Sequence, residues 1–315
     1  MNKDNGDIFQ SVRDGFAAVA AVADHVTIRH DRIDAYADAM VPVPQDDVFD
    51  TDHHFIGNEE DTAAYVLALD AINFGSGYKP LMVGEGWNLV DGSIYFTVST
   101  RLKNEFENAA PWNAAHMASL TDEDCRRVFA LPRGRYSDEF TALCRAALNE
   151  LGADVAGRFM DYVPGTAAEL AAKLARLPHF HDVHDYKGMK VPVLKRAQIA
   201  AADLHLAFGR LGRDLFPDAG SVTMFADNAV PHVLRTDGIL EYTPELAAKI
   251  AAGTYLPSGS AEEVEIRACA GHAVELIAAR KGLKALNIDH ILWHRSAGNP
   301  DYRKQPTHRT LTPFY

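Results

Sequence analysis

Helix start and stop signals recur so densely along this chain that they set its class before any other feature is weighed. Thr166 with Glu169 makes a capping-box pattern ahead of a helix over 167–177, which Pro178 closes. Ser137 precedes a helix whose apolar face is Phe140, Cys144, Ala147 and Leu151, with Gly152 after it as a stop. Thr243-Pro244 opens another helix that ends near Gly253, and Ser260 with Glu263 opens a long one that stops near Gly282. No series of strands alternating with helices appears, which excludes a parallel α/β sheet and leaves a mainly α fold. One region departs from helix. Residues 81–83 and 87–90 are short β-like runs, and Asp91-Gly92 is a strong turn signal, so a small β-hairpin is expected there, feeding a helix from about Tyr95. A soft boundary near residues 161–166 divides the chain into an N-terminal helical region, 1–160, that carries this hairpin, and a C-terminal helical core, 161–315; the two could still be one continuous domain.

The net charge of −12 over 315 residues, with no cluster of Lys or Arg to offset it, disfavours grip on a nucleic-acid backbone. A small anionic ligand remains compatible, because two or three local cations suffice for one phosphate. Cys125, Cys144 and Cys269 are odd in number and widely spaced, which is not a disulfide framework. The N-terminus has no basic stretch followed by an apolar one, and no apolar run reaches membrane-spanning length, so a soluble, cytoplasmic protein is expected.

Two segments carry the candidate chemistry. Val-Leu-Lys-Arg-Ala-Gln-Ile centres on Lys195, and Thr-Met-Phe-Ala-Asp-Asn-Ala-Val-Pro centres on Asp227. Each sets an ionisable group inside an apolar run, where a charge is costly unless it is paired or used. Lys195 is placed one turn inside a helix, with Ile199, Ala202 and Leu206 on its own stripe. A lone Lys ordinarily snorkels to water, and that account weakens among such neighbours. For Asp227, a role as helix cap or turn former stands level with catalysis on pattern alone, and Pro231 fits the first turn of a short helix ending near Gly238. If the two side chains meet, each favours the other's charged form.

These segments, with Glu-Val-Glu-Ile-Arg at 263–267, His308-Arg309, the terminal Phe314-Tyr315 and Leu-Asp-Ala-Ile-Asn-Phe at 69–74, resemble the queuosine 5′-phosphate N-glycosylase family of queuine salvage. The clear match covers roughly 190–315 and weakens back to about residue 60. The chain departs from the family pattern at Asn228 and Ala229, where an aromatic and an Arg are usual, and at Gly75-Ser76-Gly77-Tyr78, where further aromatics are usual. The resemblance implies hydrolysis of the N-glycosidic bond of queuosine 5′-monophosphate to queuine and ribose 5-phosphate. It also implies a helical fold similar to helix-hairpin-helix DNA glycosylases, a small nucleotide as partner, and neither metal nor other cofactor. Asp227 would stabilise the oxocarbenium-like state, and would then orient water or bond the sugar carbon; Lys195 would anchor phosphate or ribose or hold Asp227 ionised.

Around this pair, Asn73 belongs to the family's Asn-Phe motif, and Phe74 and Phe225 are candidates to stack on the base, with core packing as the alternative for each. Arg196, Arg267, His308 and Arg309 are candidates for phosphate or ribose, although Arg267 has Glu263 at i−4 and so could form a surface helix pair instead. Tyr315 is expected to dock with its apolar neighbours, and His54 is a further candidate to reach the nucleotide. His179, His181 and His184 with Asp182 and Asp185 mimic a metal cluster, but a solvated loop is the stronger reading. Two rival functions stand beside the main one: a DNA or RNA base glycosylase, which the acidic balance opposes, and a non-catalytic binder of queuine-modified tRNA.

Overall fold

The computed structural model describes residues 7–41 and 49–315. The chain is mainly helical, and it groups into two compact units, each discontinuous in sequence. Unit 1 takes Met1–Gln45, Asp182–Gln198 and Gly220–Leu311; unit 2 takes Asp46–His181, Ile199–Ala219 and Thr312–Tyr315.

Unit 1 is built on the helix Ala261–Lys281, whose buried residues lie on every side of its first four turns, from Glu263 to Ala278. A helix buried round its whole circumference has to be enclosed by others. Helices Ile8–Ala21, His30–Ala39 and Ala285–Gly298 pack on it, and Ala229–Thr236 packs on Ala285–Gly298. Gly271 allows the closest approach: a Cβ there would stand 2.3 Å from the Phe16 ring. Ser260 caps the N-terminus, and Gly282, at φ 70°, ends the helix in the left-handed region, as the sequence predicts. The strand Val26–Ile28 pairs antiparallel with Leu240–Tyr242, in the register Val26↔Tyr242 and Ile28↔Leu240.

Unit 2 is built on the helix Glu59–Ala71, buried continuously from Thr62 to Ala71. Helices Ile94–Asn108, Arg135–Val155 and Phe159–Tyr162 pack round it. Gly152 lies inside the helix Arg135–Val155 and does not stop it. Its role is close packing, because a Cβ would meet the Ala118 backbone N at 2.4 Å. The helix starts at Arg135, ahead of Ser137, and it ends at Ala156, whose φ of 50° does the work expected of a glycine.

The hairpin expected at 81–90 does not form. Lys79–Gly84 is a short helix with Pro80 in its first turn, where the ring's fixed φ suits helix and the missing N–H is no loss. A run of three apolar residues fits one turn of helix as well as a strand. Asp91-Gly92 does turn the chain, with both residues at positive φ, but it closes only an isolated bridge between Val90 and Ser93. The hairpin of this chain lies elsewhere. Val183–Tyr186 pairs with Met189–Pro192 through a two-residue turn at Lys187 and Gly188, both at positive φ. Among the described residues, no helix is long and apolar enough to cross a membrane.

Candidate active site

The two chemistry-bearing segments lie together in unit 1, and the residues that join them are their own. Gln198 is fully buried. Its amide oxygen accepts the Thr223 N–H (2.9 Å) and hydroxyl (3.1 Å), while its NH2 donates to the Val193 carbonyl (2.9 Å). One side chain thus ties the strand-to-helix corner before Lys195 to the segment that leads to Asp227. Lys195 is the first residue of the helix Lys195–Arg210, one turn earlier than its apolar neighbours suggest, and it is 4 % exposed. Asp227 is partly exposed and forms a turn just before a helix: its Oδ1 accepts the Ala229 N–H at 2.6 Å, while Asn228 holds the N-cap position of Ala229–Thr236. The turn former and the candidate catalytic group are therefore one carboxylate.

Asp227 and Lys195 feel each other's charge. Burial pushes the Asp227 carboxyl above its usual range, and the Lys195 ammonium, the Ala229 and Val230 N–H groups and the Arg267 guanidinium pull it back towards ionisation. A second carboxyl joins them. Asp289, in the helix Ala285–Gly298, is buried, and its Oδ1 accepts the Phe225 N–H at 3.0 Å. Burial and then the Asp227 charge hold Asp289 well above the ordinary carboxylate range, against the Phe225 N–H and Lys195. Two carboxyl groups beside one ammonium favour one ionised and one protonated, and the stronger pressure falls on Asp289. Asp289 was legible by the same signal as Asp227, an ionisable residue in an apolar run (Leu286, Ile288, Ile291 and Leu292), but the sequence reading passes over it.

The remaining candidates divide between the units. In unit 1, Arg196 is buried next to Lys195, and Phe225 is buried with its ring 6.4 Å from that of His290. His308 is buried, and burial followed by the Arg267 charge pushes its pKa down to about 3, so the ring is neutral at ordinary pH. Arg309 is half-buried in a parallel bridge to Tyr255. Arg267 does pair with Glu263, at 3.2 Å, but the pair is fully buried and is no surface pair. The guanidinium also forks onto Asp182, and its Nε–H donates to the Ala226 carbonyl at 2.7 Å.

In unit 2, His54 stacks on Phe49 at 4.2 Å, and its Nε2 lies 2.7 Å from the Tyr95 hydroxyl. Burial lowers its pKa to about 4. The Asn73 NH2 donates to Asp70 Oδ1 at 3.1 Å, and the buried Phe74 ring lies 5.3 Å from Phe140. Tyr315 is buried, and its carbonyl accepts the Gly75 N–H at 3.0 Å.

The His- and Asp-rich segment is not a solvated loop. Asp182 and His184 are buried, and 183–186 is a strand of the hairpin. His179 pairs with Glu150, and His181 Nδ1 lies 2.9 Å from the Ala175 carbonyl. The polarity of the run hides its period of two, because its inward face is filled by an ion pair in place of apolar side chains.

Comparison with known proteins supplies the family. The profile of a family described as "Queuosine salvage protein" matches residues 53–315, well beyond the 190–315 that the motifs make clear. The chain is 34 % identical over 314 residues, 94 % of its own length and 95 % of the relative's, to a Sphaerobacter thermophilus protein named queuosine 5′-phosphate N-glycosylase/hydrolase. Proteins of the same name from Dictyostelium discoideum and Bos taurus are 31 % and 28 % identical, over 96 % and 82 % of this chain and 98 % and 83 % of theirs.

Proposed function

The chain belongs to the queuosine salvage protein family, and from that premise we propose that it hydrolyses the N-glycosidic bond of queuosine 5′-phosphate, releasing queuine and ribose 5-phosphate. Asp227 is the catalytic carboxylate. As the 7-deazaguanine base departs, positive charge develops on the ribose, and a carboxylate held in protein stabilises that charge far better than water does. Lys195 pulls Asp227 towards ionisation against the pressure of burial. Asp289, its carboxyl pushed well above the ordinary range by burial and the Asp227 charge, resists adding a second negative charge to the cluster. Arg196 and Arg309 are the cations we assign to phosphate, and Phe225 is the unit 1 aromatic we assign to the base. The helical core is, in this reading, of the kind used by helix-hairpin-helix DNA glycosylases, supported by the predominance of helix and by the Lys–Asp pair.

The observation that carries the proposal is the Gln198 side chain tying the Lys195 corner to the segment that leads to Asp227, in a chain whose relatives are named for this reaction. Mass spectrometry of the products from queuosine 5′-monophosphate tests it. Queuine and ribose 5-phosphate are expected from the nucleotide, with no base released from duplex oligonucleotide. An unchanged nucleotide after prolonged incubation with folded enzyme refutes it.

A further inference from the structure

We propose that Asp182 and Arg267 form a clamp that positions Lys195 and Asp227 together, so that Asp182, bonded to the Lys195 backbone N–H and to Arg267, governs the rate of the reaction proposed above. The inference rests on that reading of the site.

One arm of the clamp sets Lys195. The Asp182 carbonyl accepts the N–H groups of Val193 (2.9 Å) and Leu194 (3.1 Å), and its Oδ2 accepts the N–H of Lys195 itself (3.2 Å). Three successive N–H groups thus converge on one residue. Between them Leu194 holds φ at 53°, a left-handed conformation that costs a side-chain-bearing residue about 1–2 kcal/mol and persists only where its surroundings impose it. The bend turns the chain out of the hairpin and starts the helix at Lys195.

The other arm sets Asp227. Arg267 Nη1 and Nη2 bond Asp182 Oδ1 (3.0 Å) and Oδ2 (2.6 Å), and the Nε–H of the same guanidinium donates to the carbonyl of Ala226, the residue before Asp227. The planar fork fixes the angle between these bonds, so a shift of Asp182 is passed to both segments. His184 braces the fork, its Nε2 lying 2.8 Å from Asp182 Oδ1 and 3.2 Å from Arg267 Nη1. Burial opposes charge on Asp182, yet the Arg267 guanidinium and then His184 hold its carboxyl well below the usual range. A buried ion pair is a poor source of stability compared with apolar packing, which leaves positioning as the better account of this one.

The test compares Asp182→Asn and Arg267→Lys with Glu265→Gln. Glu265 is an equally buried carboxylate on the same helix as Arg267, and it accepts the His25 and Val26 N–H groups and the Tyr186 hydroxyl, so its loss strains the fold elsewhere. At a temperature where all variants are folded, the clamp predicts kcat lowered about 10–100-fold in the first two, the scale of a misplacement near 1 Å, with KM within about twofold. Glu265→Gln should lower Tm by a similar amount and keep kcat within about twofold. Wild-type kcat in either clamp variant, or an equal kcat loss in Glu265→Gln, overturns the inference. Should Asp182→Asn fail to fold, Arg267→Lys, which keeps the charge but cannot hold both arms, decides it alone. Wild-type enzyme inert towards queuosine 5′-phosphate would overturn the proposed function, and the clamp's catalytic role with it.

Discussion

Asp227→Asn separates charge from shape at the proposed reacting centre. A carboxylate about 4 Å from a unit positive charge, at an effective dielectric near 20, contributes about 4 kcal/mol. If that contribution is realised only as the base leaves, its loss slows the chemical step about 10³-fold. The fold should tolerate the change for two reasons. An Asn side-chain oxygen forms the same turn as Asp, so the bond to the Ala229 N–H can be kept. Removing the Asp227 charge also removes the second of the two pressures that raise Asp289, after burial, so Asp289 shares the Lys195 charge more readily. Expected, then, is a stability change within about 1 kcal/mol, nucleotide affinity within about threefold, and queuine release in single-turnover mass spectrometry slowed about 10³-fold. A release rate within tenfold of wild type, at saturating nucleotide, would refute the catalytic assignment of Asp227.

Three further outcomes follow from the same geometry. Lys195→Met removes the cation that pulls Asp227 towards ionisation, so Asp227 protonates at higher pH and the acid limb of the kcat/KM profile should move upward; an unmoved limb separates Lys195 from Asp227. In wild type the raised carboxyl of Asp289 binds its proton more tightly in the folded than in the unfolded state, so its contribution is fully present below the unfolded pKa near 4 and is lost as pH rises towards the folded value. Asp289→Asn, which does not titrate, should therefore gain in Tm relative to wild type as pH rises above the unfolded value of about 4, and a difference constant with pH contradicts the shift. Gly271→Ala drives a methyl into the Phe16 ring and should destabilise unit 1 by about 1–3 kcal/mol in urea titration; a neutral result means the two helices can separate freely.

Much of the helical framework was written locally. The caps at Thr166, Thr243 and Ser260 and the stop at Gly282 are short-range signals, set by which side chain can reach an N–H three residues on and which residue accepts positive φ. The misplaced helix stop has a tertiary cause. Ala156 ends the helix Arg135–Val155 in the left-handed region, and Gly152, read as its stop, sits mid-helix because a neighbouring backbone needs its space. There the decision belongs to tertiary packing. The hairpin turn at Lys187-Gly188 was missed because one of its two positive-φ residues is a lysine, which carries no turn preference of its own.

The candidate site was legible only where a single residue betrays itself. Lys195 and Asp227 stand out because each interrupts an apolar run, and the structure sets one charge against the other. Asp182 gives no such sign. In sequence it is one acid among histidines, 85 residues from Arg267. Its meaning lies in a pair of bonds that no periodicity records, made by a guanidinium that the sequence reading assigns to phosphate or to a surface pair. A sequence reports where a charge is costly; only the fold reports which opposite charge answers it. That asymmetry explains why Arg267 could be found and yet given another role. An Arg in an apolar helix signals function equally whether it grips a substrate or holds the residues that do, and the fully buried Asp182–Arg267 fork, bonded to the backbone before Asp227, weighs for the second.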